Sequence, residues 1–277
     1  MGVETELVDV GGYALAVGSA GTGSPPVVCL SGLTGDTGEW VGVRTALRVS
    51  TATVAYGRPA VGGSDPLPPD LAGVARPASW VAGQLRTLLD RAGVPVPRVL
   101  VGHSIGAMIA EACVARWPDE VAGLVLVDPT DILLFLDVGK PNPADSDVGG
   151  IRFDMPASLT ELAAHPPVRV PAVVVTSAVG RWLSLRGSQV ERDYRPYTLA
   201  ELDARWQRTQ REQAARTGAV HVLAHTAGHC VHIDAPVLVA QAVDAVVRAA
   251  RDGGPIRLDA ARLNAAGGGL VDHTASG

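Results

Sequence analysis

The sequence predicts an α/β fold in which a mostly parallel sheet is covered by helices on both faces. Short runs rich in Val and Leu alternate along the chain with longer segments whose apolar residues recur at helical spacing. Hydrophobic residues make up 47% and charged residues only 18% of the 277 residues, which favours a large buried core.

The first half of the chain is predicted to contain six strands and two helices. Apolar residues recur at helical spacing in 80–91, where Ser79 is the predicted N-cap, and in 105–117, which ends at Pro118. The first two strands are joined as a hairpin. The six predicted strands lie at 6–10, 13–17, 27–30, 51–56, 98–101 and 122–127.

The second half begins with an irregular segment before the alternation resumes. Between residues 129 and 169, Asp, Pro and Gly surround one short apolar piece, and a loop this long usually serves function, for example as a lid. Strands follow at 172–176 and 220–223, and helices at 199–216 and 237–251. We therefore expect a core domain formed by residues 1–128 and 170–251, a cap inserted at 129–169, and a flexible tail at 252–277.

Composition argues against several classes of protein. The net charge of −5, without any Lys/Arg run, argues against a nucleic-acid or membrane partner. Three cysteines without a CxxC pair indicate free thiols. The chain has neither a signal-like start nor a membrane-spanning apolar run, so we expect a cytoplasmic protein. We expect a small-molecule substrate and no cofactor, and the sequence leaves open whether the chain forms a homodimer.

The strongest chemical signal is Gly102-His103-Ser104-Ile105-Gly106, which lies where a predicted strand turns directly into a predicted helix. The pattern G-x-S-x-G at such a turn holds the serine in a strained conformation and projects its hydroxyl above the sheet edge. Glycines on either side remove Cβ atoms that would clash. The helix N-terminus supplies N–H groups for a developing oxyanion. Ser104 is therefore the candidate nucleophile.

A serine hydroxyl needs a base, and seven histidines are available. His229 is the strongest candidate because its loop, between the last strand and the last helix, opens at the same sheet edge as Ser104. His229 and His232 are three residues apart, but no further ligands accompany them, so we expect no metal site. The remaining candidates are His103, His165, His221, His225 and His273.

These motifs, together with residues 28–33, 56–65 and 228–236, resemble those of the α/β-hydrolase fold superfamily over nearly all of residues 5–250. The resemblance implies an eight-stranded sheet with a cap inserted after the sixth strand. It also implies an oxyanion hole formed by the backbone N–H groups of Leu33 and Ile105. Two positions depart from the family: Ser31 replaces the usual His of the oxyanion loop, and Gly57 replaces a usual Asp.

The triad acid has more than one candidate. In much of the superfamily it follows the seventh strand, here 172–176, but no carboxylate follows that strand before Glu191. Asp128 lies at the tip of the sixth strand, where some members carry the acid, and we take it as the leading candidate. Glu191, Asp193 or no acid at all are the alternatives. Asp128-Pro129 is also a pair that commonly starts a turn.

The sequence thus predicts a cofactor-independent serine hydrolase acting on a carboxylic ester, lactone or thioester. Two alternatives remain: a biosynthetic tailoring enzyme such as a cyclase, lyase or C–C hydrolase, and a non-catalytic ligand-binding protein on the same scaffold. Ile132, Phe135 and Trp182 are candidate substrate contacts. Packing of these side chains within the cap is the alternative explanation.

Overall fold

A nine-stranded sheet runs through the protein in the computed structural model, which describes residues 4–130, 150–165 and 170–271. The sheet order is β1-β2-β4-β3-β6-β7-β9-β10-β11, and β5 and β8 form a separate parallel pair. The strands are β1 (Glu4–Asp9), β2 (Ala14–Ala20), β3 (Val27–Leu30), β4 (Thr53–Tyr56), β5 (Ala75–Arg76), β6 (Arg98–His103), β7 (Val121–Val127), β8 (Arg152–Phe153), β9 (Ala172–Thr176), β10 (Val220–Ala224) and β11 (Gly268–Leu270).

The six central strands of the sheet are parallel, and the edge strands β1, β2 and β11 are antiparallel to their neighbours. Strands β3, β4, β6 and β9 are buried along their whole length, as expected when helices cover both faces. The α/β prediction with a mostly parallel sheet is therefore confirmed.

Helices pack on both faces of this sheet. Leu124 and Leu126 of β7 join the core cluster on one face, and Val125 and Val127 join the cluster on the other, because successive side chains of a strand point to opposite sides. The helices are α1 (Val41–Ala46), α2 (Ala78–Arg91), α3 (Ile105–Arg116), α4 (Met155–Ala164), α5 (Gln189–Asp193), α6 (Leu199–Thr217), α7 (Val231–Asp234), α8 (Pro236–Asp252) and α9 (Ala260–Ala265).

The predicted tail differs most from the structure. The segment expected to be flexible contains α9 and the ninth strand, β11, which extends the predicted eight-stranded sheet. Asp259 caps α9 by accepting hydrogen bonds from two backbone N–H groups, and Leu263 is fully buried. A Cβ at Gly268 would lie 2.6 Å from Leu238, so the glycines that suggested fraying instead permit close packing.

Two further expectations need correction. The segment at 150–165, predicted to be irregular, contains β8 and α4, whose first turn is capped by Asp154. Ser79 does not cap α2, because this helix already begins at Ala78. The Ser79 hydroxyl instead donates to Glu161 at 2.8 Å. The division into core and cap stays a prediction. Among the described residues, no helix is long and apolar enough to cross a bilayer.

Candidate active site

Ser104 occupies a strained turn between β6 and α3. Its φ of 53° and ψ of −120° lie in a region that side-chain-bearing residues rarely adopt. The glycines at either side explain how the turn fits. A Cβ at Gly102 would lie 2.5 Å from the carbonyl oxygen of Gly106, and a Cβ at Gly106 would overlap the carbonyl oxygen of Leu30. The local geometry is that of a strand-to-helix turn that presents its serine.

The structure brings Ser104, His229 and Asp128 into one hydrogen-bonded row. His229 Nε2 lies 3.0 Å from Ser104 Oγ, and His229 Nδ1 lies 2.7 Å from Asp128 Oδ2. A carboxylate can only accept a hydrogen bond, so Nδ1 carries the proton and Nε2 is free to accept the serine hydroxyl. The His229 side chain is 36% exposed, so solvent reaches this row.

Asp128 is completely buried at the end of β7, and its second oxygen is fully engaged. Oδ1 accepts hydrogen bonds from the Ser177 backbone N–H at 2.9 Å, the Ser177 hydroxyl at 2.8 Å and Trp206 Nε1 at 3.0 Å. The alternative acids, Glu191 and Asp193, lie on α5 and bind Gly187 N and a glutamine side chain instead. Sequence reasoning missed Ser177 and Trp206, since no spacing links them to β7.

An arginine sits beside this carboxylate. Arg181 Nε lies 3.6 Å from Asp128 Oδ2, and its guanidinium stacks over Trp182 at 4.4 Å and Trp206 at 4.3 Å. Burial by itself would raise the pKa of Asp128, but the hydrogen bond from His229 and the charge of Arg181 outweigh it, so the pKa is lowered. Burial lowers the pKa of Arg181, against the opposing charges of Asp128 and Asp203.

Of the three predicted substrate contacts, one can be located. Trp182 is only 4% exposed and packs edge-to-face against Trp206 and Tyr194. Its role as a substrate contact stays a prediction, beside the packing explanation. Ile132 and Phe135 lie outside the described residues.

The loop after β3, predicted to carry part of an oxyanion hole, is anchored from behind. Buried Arg58 donates from Nη1 to the Ser31 carbonyl at 2.7 Å and from Nη2 to the Gly32 carbonyl at 2.5 Å. The Ser31 hydroxyl accepts from Trp40 Nε1 at 2.8 Å, a contact that supports the loop where the family usually has His. A Cβ at Gly32 would lie 3.3 Å from that of Ser104, so the loop passes directly beside the serine.

A column of aromatic rings continues inward from His229. His103 lies 4.7 Å from the His229 ring and 4.3 Å from the His232 ring, which stacks on Trp40 at 4.5 Å. His103 lies beside the site and donates from Nε2 to the His229 carbonyl at 2.9 Å. Burial, aided by repulsion from neighbouring imidazoles, holds the pKa of His103 well below its usual value, so it is neutral.

Thr130 is a further contact that the sequence did not reveal. Its Oγ1 lies 3.1 Å from Ser104 Oγ. Because the Ser104 hydrogen points toward His229, Thr130 is the donor in this contact. In the part of the chain that the structure describes, no cluster of three or more His, Cys, Asp or Glu side chains is placed to hold a metal ion.

The sequence model of the alpha/beta hydrolase family matches residues 27–242. The chain belongs to this family. Among curated relatives, "Putative carbamate hydrolase RutD" of Klebsiella pneumoniae (strain 342) is 35% identical over 107 residues, which are 38% of this chain and 38% of that protein. The chain therefore matches well under half the length of this relative.

Several solved structures share the fold of this chain. Epoxide hydrolase A from Mycobacterium thermoresistibile aligns with a TM-score of 0.64 and 17% identity, covering 89% of this chain and 98% of that one. The thioesterase domain from the curacin biosynthetic pathway aligns with a TM-score of 0.55 and 18% identity, covering 87% and 98%. At this identity the likeness concerns architecture, and the chemistry has to be argued from the site.

Proposed function

We propose that the protein is a serine hydrolase that cleaves a carboxylic ester, lactone or thioester through an acyl-enzyme. The observation that carries this proposal is the position of His229, within hydrogen-bonding distance of both Ser104 Oγ and Asp128 Oδ2. A base held between a hydroxyl and a carboxylate is the arrangement that activates a serine nucleophile.

The roles follow from the contacts. Ser104 Oγ attacks the acyl carbon while its proton passes to His229 Nε2, and His229 then gives this proton to the leaving oxygen or sulfur. Water then attacks the acyl-enzyme while one of its protons passes to His229. His229 returns this proton to Ser104 Oγ as the carboxylic acid is released. Asp128, kept ionised by its donors, orients the imidazole and stabilises its cation. We assign the binding of the oxyanion to the backbone N–H groups of Leu33 and Ile105. Each such donor typically stabilises the transition state by about 3 kcal/mol.

Hydrolysis is favoured over a cyclase or lyase because the His229 side chain is solvent-accessible. Water can therefore reach an acyl-enzyme on Ser104. The mass of the products distinguishes hydrolysis from the cyclase and lyase reactions, because hydrolysis adds one water to the substrate and the other two reactions do not. The name of the Klebsiella relative adds carbamates to the acyl compounds that should be screened.

The test is labelling and turnover at Ser104. A fluorophosphonate should label this residue, and Ser104→Ala should lower turnover of an activated ester by about 10³-fold or more. The exposed Ser50→Ala variant is the matched control and should keep both activities. Equal turnover by Ser104→Ala and the parent protein would refute the proposal.

A further inference from the structure

A cavity of about 250 Å³ begins at Thr130 and extends along α3, between α4 and α6. Thr130 is the residue whose hydroxyl contacts Ser104 Oγ, so this end of the cavity lies one side chain away from the nucleophile. Met108 and Glu111 line it one and two turns along the helix from Ser104. At 1.5 Å per residue, Glu111 lies about 10 Å from Ser104 along the helix axis.

The walls and the far end of this cavity differ in character. Met108, Leu159, Leu162 and Ala163 make the walls apolar. At the far end, Glu111 is only 5% exposed, and its Oε1 accepts a hydrogen bond from Arg216 Nη2 at 2.5 Å.

The buried Glu111 carboxyl is unusual on a helix that otherwise buries small and apolar side chains. Nine of the ten buried residues of α3 are apolar or glycine. Burial raises the pKa of Glu111, and the charge of Arg216 offsets this only in part. A polar group held against such a penalty and lining a cavity is typical of a specificity contact.

We propose that this cavity binds the part of the substrate attached to the scissile carbonyl, an apolar chain of about eight non-hydrogen atoms ending in an uncharged hydrogen-bonding group such as a hydroxyl. The inference rests on the proposed function. Eight atoms joined by bonds of about 1.5 Å span close to the 10 Å between Ser104 and Glu111, which sets the length of the chain.

The Glu111–Arg216 pair determines the nature of the end group. Glu111 and Arg216 neutralise each other, and Glu212, which also lines the cavity, is 68% exposed and lies 3.9 Å from Arg208. A charged end group would therefore find no unpaired buried charge here. A methyl end would displace water from the pair without replacing its hydrogen bonds, which is unfavourable. A hydroxyl can donate to the carboxylate and so avoids both costs.

The test compares p-nitrophenyl esters of acetate, octanoate, 8-hydroxyoctanoate and hexadecanoate. We expect the highest kcat/KM for 8-hydroxyoctanoate, about tenfold above octanoate, and the lowest among the three long chains for hexadecanoate. Glu111→Leu should abolish the preference for the hydroxyl, whereas Glu6→Leu on the exposed edge strand should keep it.

A second variant tests the cavity without touching the ion pair. Leu162→Trp should fill the cavity and lower the ratio of kcat/KM for 8-hydroxyoctanoate to that for acetate by at least tenfold. Leu7→Trp, at a position 60% exposed, adds the same side chain elsewhere and should leave the ratio unchanged. Thermal melts establish that each variant is folded.

The outcomes separate the two proposals. Ser104-dependent acetate hydrolysis without any preference for chain length or hydroxyl, or an equal effect of Leu162→Trp on all esters, overturns the cavity assignment alone. Absence of labelling and turnover on every ester overturns the proposed function, and the cavity assignment with it.

Discussion

Replacing Arg181 with Met should move the acidic limb of the pH profile of kcat/KM to higher pH. The guanidinium lies 3.6 Å from Asp128 Oδ2 and is largely buried over two tryptophan rings. Other groups facing Asp128 are His229, Ser177 and Trp206. The charged or titratable groups facing the guanidinium itself are Asp128, Asp203, Tyr194 and Cys230.

The sign follows from the direction of the pKa shift. The pKa of Asp128 is lowered in the folded protein, with Arg181 among the causes, so the carboxylate stays ionised well into the acidic range. Without the guanidinium the pKa rises, and Asp128 takes up a proton at a higher pH. A protonated Asp128 no longer stabilises the His229 cation, so activity is lost sooner as the pH falls.

The separation of the charges sets the size of the effect. At 3.6 Å and an effective dielectric constant of about 20, the attraction is about 5 kcal/mol. Asp203 competes for the same guanidinium, so only a fraction of this acts on Asp128. Even a third of it corresponds to about one pH unit, at 1.36 kcal/mol per unit.

The assay is steady-state hydrolysis of an activated ester across the acidic and neutral range, with Arg181→Lys as the charge-retaining control. Each profile is normalised to its own plateau, so a loss of folded protein does not move its midpoint. We expect Met to shift the limb upward and Lys to shift it much less. Coincident limbs for Arg181→Met and the parent protein would refute the electrostatic argument.

Three further experiments, two substitutions and one chemical modification, test the site and the core. Trp206→Phe removes a donor to the buried Asp128 carboxylate and should lower kcat/KM about tenfold, measured on the same ester. Gly106→Ala should lower the melting temperature because its Cβ overlaps a β3 carbonyl, whereas Gly83→Ala, with open space around it, should not. Native iodoacetamide treatment followed by mass spectrometry should modify the partly exposed Cys230 before Cys29, whose pKa burial raises to about 12.

The sequence predicts the positions of Ser104 and His229 because both follow directly from chain order. Each lies in a segment that leaves a parallel strand at its carboxyl end, and such segments meet at one edge of the sheet. Arg181 and Trp206 could not be found this way. They come from segments after β9 whose approach to Asp128 depends on tertiary packing, and no spacing in the sequence encodes it.

The tail illustrates a different limit of sequence reasoning. A Gly/Ala-rich segment lacks the apolar periodicity that predicts a strand or a helix. Its order depends on one cap at Asp259, one buried side chain at Leu263, and an unpaired edge on β10 that can accept β11. The last of these is a property of the assembled sheet, so it becomes visible only in three dimensions.

The proposed role of Asp128 as the triad acid also accounts for the residue that follows β9. In much of the family the acid follows the strand that corresponds to β9. In this protein Ser177 occupies that position, and its N–H and hydroxyl both donate to Asp128 Oδ1. Asp128 reaches this arrangement with a φ of 42°, which Asp tolerates better than most residues. The two neighbouring strand tips thus supply an acceptor and its donors. Because Asp128 is buried, these donors are needed to keep it ionised.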